Sequence, residues 1–314
     1  MNNYKRMTSI FGAAALGLTA LTCGATAFAG QPEPPDMVAP PPNLTILLFY
    51  NKYSTSSNFY TSYGDQVTGT HLVTDVPILQ LFHSFRVDGT TYAAQITAPY
   101  VDFLGNQHVG PIPLSANSGF VGPVFTAMAW PIANPAEDEY LHLTYTLTTP
   151  VGSYNDLYTA NPSSHNWVND PEINFTHILL GRPQHKRLDF EISMDAFFNT
   201  NSSFDGGPVG AVTTHIQPEE QVRFYFPYYF FPKTDAYVGV GFTQTFGGKQ
   251  TVTLQNVPNR VIDTGLRTDH SFISVMAGSF ISRTMFVNLH FEHDVRVRGG
   301  FAATSIEFRV GRIF

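Results

Sequence analysis

From about residue 44 to the C-terminus, apolar and polar residues alternate along the chain, which is the mark of strands with two unlike faces. Leu188 to Phe198 shows it best. Leu188, Phe190, Ile192, Met194, Ala196 and Phe198 share one face, and Asp189, Glu191, Ser193, Asp195 and Phe197 the other. Leu141, Leu143, Tyr145 and Leu147 alternate with His142, Thr144, Thr146 and Thr148. Tyr92 to Tyr100, Ala236 to Thr245 and Met285 to Asp294 repeat the pattern. No uninterrupted apolar run of helical-span length follows residue 29, so the pattern holds no later transmembrane helix.

The alternation predicts twelve strands, at 44–53, 78–87, 92–101, 120–130, 140–149, 166–180, 187–198, 212–229, 234–246, 269–279, 284–294 and 301–314. Most are longer than the usual strand of about five or six residues. They suit the tilted crossing of a bilayer, which takes about 9–11. Long connections rich in Gly, Asn, Ser and Pro (54–77, 102–119, 150–165, 199–211, 247–268) alternate with short ones (88–91, 131–139, 181–186, 230–233, 280–283). That asymmetry belongs to outer-membrane barrels, with long outer loops and short periplasmic turns. The last connection, 295–300, is short where the rule asks for a long one. A secreted β-sandwich also alternates, but its outward face would be charged. Here the polar faces are mostly Thr, Ser, Gly and Gln, as in a barrel interior. The predicted fold is all-β, a closed antiparallel transmembrane β-barrel of twelve strands. Closure has a physical reason, because an open sheet edge in lipid leaves N–H and C=O groups unpaired.

Composition sharpens this picture. The 314 residues include 27 Phe, 15 Tyr and 2 Trp, yet only 13% are charged, against roughly 25% in an ordinary soluble domain. A wall with one lipid face explains both features. The formal charge of -7, with no basic block, argues against a nucleic-acid partner. One cysteine excludes a disulfide framework and a cysteine-rich zinc site. Tyr50, Trp130, Tyr140, Trp167, Tyr225, Tyr228 and Tyr229 fall near predicted strand ends and are expected to form aromatic girdles where lipid meets water.

The first 29 residues read as a cleaved signal peptide. Lys5 and Arg6 precede an uncharged, apolar middle, and Ala27-Phe28-Ala29 fits a small-x-small cleavage site. Residues 30–43 contain six prolines and read as an extended periplasmic tether, too short for a substantial plug. The barrel would occupy 44–314.

The chain ends Ile306-Glu-Phe308-Arg-Val310-Gly-Arg-Ile-Phe314. Ile306, Phe308, Val310 and Phe314 resemble the terminal signal read by the barrel assembly machinery, although Arg312 stands where an aromatic is common. Further motifs resemble the meta-pathway phenol degradation family of outer-membrane transporters. They include Leu47-Leu48-Phe49-Tyr50-Asn51-Lys52-Tyr53, Ile96-Thr97-Ala98-Pro99-Tyr100-Val101-Asp102, Gly119-Phe120-Val121-Gly122-Pro123 and Pro150-Val151-Gly152-Ser153-Tyr154. Asn166-Trp167 with Pro171-Glu172, and Tyr237-Val238-Gly239-Val240-Gly241 leading to Gly247-Gly248, extend the match. The resemblance implies a Gram-negative outer-membrane barrel that takes up small hydrophobic or aromatic compounds. Its partners would be outer-membrane lipid, the assembly machinery and a small hydrophobic solute.

No nucleophile elbow, P-loop, dinucleotide fingerprint or H-E-x-x-H motif occurs, so no enzyme, metal or cofactor is expected. The polar faces place Asp189, Glu191 and Asp195 on one strand, His215 and Arg223 on the next, and His290 and Glu292 opposite Glu307 and Arg309. These nine residues are expected to line the lumen, either bracing it or selecting a permeant. A diffusion channel is the leading reading. A structural or adhesive barrel and an outer-membrane hydrolase are the alternatives.

Overall fold

In the computed structural model, which describes residues 21–22, 33–205, 210–255 and 260–314, the chain forms a closed antiparallel β-barrel of twelve strands. They are β1 (Thr45–Tyr60), β2 (Leu72–Val87), β3 (Thr90–Phe103), β4 (Val124–Asn134), β5 (Glu139–Thr148) and β6 (Val168–Gly181). The second half adds β7 (Arg187–Asn199), β8 (Glu219–Phe231), β9 (Ala236–Gly247), β10 (Asp269–Ser282), β11 (Met285–Arg298) and β12 (Gly300–Ile313). Each strand pairs with its sequence neighbours, and β12 closes on β1 from Ile46↔Ile313 to Tyr60↔Gly300. The expected signal segment lies outside the described residues apart from Leu21–Thr22.

All twelve predicted strands have a counterpart, and half of them run longer than predicted. β1 reaches 16 residues because Ser54–Tyr60 continues the ladder past the apolar stretch. One prediction divides. The expected strand 212–229 is two elements, Ala211–Ile216 and β8, broken at Gln217–Pro218. Proline has no N–H for the ladder, so the chain turns a corner there. Ala211–Ile216 leaves the barrel and joins Ser202–Asp205, Gln250–Leu254 and Val261–Asp263 in a small sheet beyond the rim. Phe204, Val212, Val252 and Leu254 form its core.

Tight hairpins gather at one rim together with both ends of the barrel. Asp88-Gly89, with φ of 48° and 85°, makes the two-residue turn whose twist matches the strands. The long connections gather at the opposite rim. There Gly299 alone, at φ 72°, turns β11 into β12, so the final connection is short, as its sequence suggests.

Period two sets the wall. Leu79 and Leu81, Leu143 and Tyr145, Val238 and Val240, and Phe291 and Ile306 are exposed on the outside. The intervening residues are buried inside, among them Gln80, Thr144, Thr243 and His290. The same parity corrects the girdle. Trp167 and Tyr228 are exposed on the exterior, but Trp130, Tyr140, Tyr225 and Tyr229 are buried within the barrel. On β8 the two buried tyrosines share the inward face of Arg223, so a position near a strand end did not put them against lipid. Small residues make room for these rings. A Cβ on Gly278 would come within 2.5 Å of Tyr237 Cε1. Ile306, Phe308 and Phe314 are exposed on the outside of β12, with Arg309 buried between them.

Two outcomes are expected. Unboiled and boiled samples should migrate differently on a gel, and identical migration would refute the closed barrel. Gly278→Leu should drive a side chain into Tyr237 and reduce the fraction that resists unfolding before boiling, whereas an outward change such as Val240→Leu should not.

Candidate functional site in the lumen

The N-terminal segment enters the lumen. Pro34–Met37 forms a single 3-10 turn inside the barrel. Residues 38–43 then run back to the short-turn rim, where Asn43 N–H donates to Ser84 O and Ser84 Oγ donates to Pro41 O. This corrects the expectation of a free periplasmic tether too short to plug. Eleven residues, 33–43, suffice because the lumen of a twelve-strand barrel is already narrowed by inward side chains.

The segment is held at both of its charged residues and at Met37. Arg309 donates a fork of two hydrogen bonds to Asp36, at 2.6 and 2.7 Å, the geometry that makes guanidinium–carboxylate pairs strong. Asn288 Nδ2 donates to Glu33 at 2.5 Å. Met37 is wholly buried among Tyr225, Tyr229, Tyr237 and Met276. Trp130 Nε1 donates to Met37 O at 3.0 Å, and its ring stacks on His142 at 4.3 Å. Trp130, Tyr225 and Tyr229, expected in the girdle, are therefore part of the seat of the plug.

Three further groups of ion pairs line the inner wall. Lys52 meets Glu292 at 2.6 Å, and Ser305 Oγ donates to the same carboxylate. Arg187 lies between Asp138 at 2.8 Å and Asp189 at 2.9 Å, over the ring of Tyr229. Arg223 lies between Asp195 at 2.6 Å and Glu172 at 3.0 Å, and it also donates to Ser193. Ser193 in turn donates to Glu172, so the hydroxyl is bonded to an acid and an Arg and not to a histidine.

Eight of the nine expected lumen residues lie on inward-facing strand positions. Asp189, Glu191 and Asp195 on β7, Arg223 on β8, His290 and Glu292 on β11, and Glu307 and Arg309 on β12 all do so. His290 pairs in register with Glu307, and Arg309 with Asn288. His215 does not belong with them. It is exposed on the loop sheet and bonded to Asn201, because the break at Pro218 takes its strand out of the barrel. Sequence reasoning missed Glu33, Asp36, Lys52, Asp138, Asp170, Glu172 and Arg187. The signal for the first two was present, since they are the sole charged residues between Met7 and Asn51.

Two cavities of the lumen each have Gln221 in their lining. The one nearer the long-loop rim is lined by Lys52, Thr245, Thr268, His270, Glu292 and Asp294. The deeper one lies against the plug residues Pro35, Asp36, Val38 and Pro40 and has a cavity volume of about 110 Å³. Its walls differ. Leu48, Tyr50, Phe82, Met128 and Trp130 line one side, and Asp170, Glu172, Asp195 and Arg223 the other. Among the described residues, no helix is long and apolar enough to cross a membrane.

The sequence model of a family described as "Putative MetA-pathway of phenol degradation" matches residues 56–310. No curated protein matches the chain. Among solved structures, a COG4313 outer membrane channel from Pseudomonas putida F1 superposes with a TM-score of 0.77 at 22% identity, covering 90% of this chain and 100% of that one. Weaker likenesses include the β domain of the Bordetella autotransporter BrkA, at TM-score 0.46 and 8% identity, covering 85% of this chain and 98% of that one. The TodX monoaromatic hydrocarbon channel follows at TM-score 0.42 and 8% identity, covering 90% of this chain and 91% of that one. The strong superposition shows a shared fold.

Arg223→Gln would leave Glu172 and Asp195 buried without a counter-charge. A loss of about 3 kcal/mol of stability is expected, read as a lowered midpoint of denaturant unfolding in detergent. An unchanged midpoint would show that the cluster does not brace the wall.

Proposed function

This chain belongs to the family described as the "Putative MetA-pathway of phenol degradation", and on that premise we propose that it is a diffusion channel of the outer membrane. Its cargo is small hydrophobic or aromatic compounds. The short-turn rim with both barrel ends faces the periplasm and the long loops face outside, the usual polarity of such barrels. Delivery follows a cleaved signal peptide ending at Ala29, and the outward residues Ile306, Phe308, Val310 and Phe314 of the last strand present the assembly signal.

The observation that carries the reading is the pair of cavities on either side of Gln221, the deeper of which ends on the plug. One lies toward the long-loop side, the other is a chamber with an apolar wall, and one short segment blocks the way onward. The barrel wall supplies passage, the chamber supplies affinity for an apolar body, and the plug limits the resting leak. The inner surface also carries a sign. Glu33, Asp170, Glu172, Asp189, Glu191 and Asp195 are buried there and Asp36 is half-buried, with Lys52, Arg187, Arg223 and Arg309 as the lysine and arginine counter-charges that pair with acids along the inner wall and on the plug. Rings of carboxylates favour cations over anions in a pore.

Planar-bilayer recording is the test. The native protein should conduct weakly and prefer cations. A variant lacking residues 33–41 should conduct several-fold more, since the seat is emptied while Ser84 and β1 remain. If neither form conducts, and neither admits small aromatics into liposomes, the channel reading fails.

A further inference from the structure

The deeper cavity is more specific than a channel for apolar solutes requires. We propose that it binds organic cations, molecules with an apolar body of roughly one aromatic ring and a protonated amine. This rests on the channel reading and names the class of solute that the chamber holds best.

The argument starts from charge. Asp170, Glu172 and Asp195 each place one carboxylate oxygen within 4.8 Å of the others. Arg223 is the single cation among them, and its Nη2 is spent on Glu172 and Asp195. One guanidinium is thus shared among three carboxyl groups. Asp170 carries the clearest deficit. It is 6% exposed, lines the cavity, makes no ion pair, and its Oδ1 has no hydrogen-bond partner. A buried carboxylate in that state is costly unless a donor reaches it.

The second observation is the opposite wall. Tyr50, Phe82, Met128 and Trp130 face the acids across the same cavity. An anionic solute is repelled by the cluster. A neutral aromatic meets the apolar wall and leaves Asp170 unpaired. A hard divalent ion would satisfy the acids but make no use of the rings, and Arg223 already occupies space among its ligands. A primary ammonium offers three N–H donors to the acids, and its ring packs on the apolar wall. Both walls are then used at once.

Trp130 is a built-in reporter, because the chain has two tryptophans and the other, Trp167, lies exposed on the exterior. Full-length protein carrying Trp167→Phe, folded in detergent, would be titrated with benzylamine, benzyl alcohol, benzoate and calcium chloride while Trp130 fluorescence is followed. Benzylamine should saturate the signal at a concentration roughly tenfold or more below benzyl alcohol, and benzoate should not saturate it. Asp170→Asn, added with the gel shift on boiling as a check of folding, should weaken benzylamine roughly tenfold and leave benzyl alcohol unchanged. Equal binding of alcohol and amine would overturn the proposal. So would amine binding that ignores Asp170→Asn, or a response to calcium without one to benzylamine. The comparison among ligands in the unsubstituted site stands even if Asp170→Asn does not fold. Loss of the amine preference with liposome entry of neutral aromatics intact would sink this inference alone, whereas absence of all conductance would sink the channel reading instead.

Discussion

The rest of the molecule depends on one ladder of hydrogen bonds, that between β12 and β1. A sheet whose outside is Leu, Val, Ile and Phe can sit in lipid only if every backbone donor and acceptor is paired, since lipid offers none. Eleven of the twelve seams join strands consecutive in sequence, so local hairpins can form them. The twelfth joins Ile46 to Ile313. Once it forms, the inner faces are cut off from lipid and a buried lysine or aspartate there becomes tolerable. Without it, the alternation that places Arg309 between Phe308 and Val310 would set charge at an open edge.

Closure creates the second problem, which is how to keep charges in a narrow interior. Arg223 with Glu172 and Asp195, Arg187 with Asp138 and Asp189, and Lys52 with Glu292 each tie neighbouring or facing strands. Such buried pairs add little net stability over apolar packing, but breaking one is costly. Their value here is placement, since they fix the side chains that shape the space between them. The plug uses the same chemistry, with Asp36 completing Arg309 and Glu33 completing Asn288. It also uses burial, since Met37 fills a gap among three tyrosines.

Much of this was legible in the sequence, and the parts that were not share a cause. Strand number, pairing order and the inward face of β7 follow from period two, which is local. The two-element nature of 212–229 was signalled by Pro218, which removes a ladder donor inside the longest predicted run. The error over Trp130, Tyr140, Tyr225 and Tyr229 arose from reading position along a strand without reading parity. Tyr225 has the parity of Arg223, and that alone sends it inward. The plug was illegible for a different reason. A proline-rich segment has no periodicity, and its partners Asn288 and Arg309 lie 255 and 273 residues away. Only the isolation of Glu33 and Asp36 in an uncharged stretch hinted that each needed a partner.

The distance from Asp36 to Arg309 carries a consequence for assembly. Every anchor of the plug lies on a strand that follows it in the chain, from Trp130 on β4 to Arg309 on the last strand. Closing a contact across most of a chain is entropically unfavourable until other contacts have shortened the path. The Asp36–Arg309 fork can form only once β12 is in place. The first part of this region to emerge in synthesis thus waits for the last strand to supply its charged anchor, so closing the wall and fixing the plug share one partner.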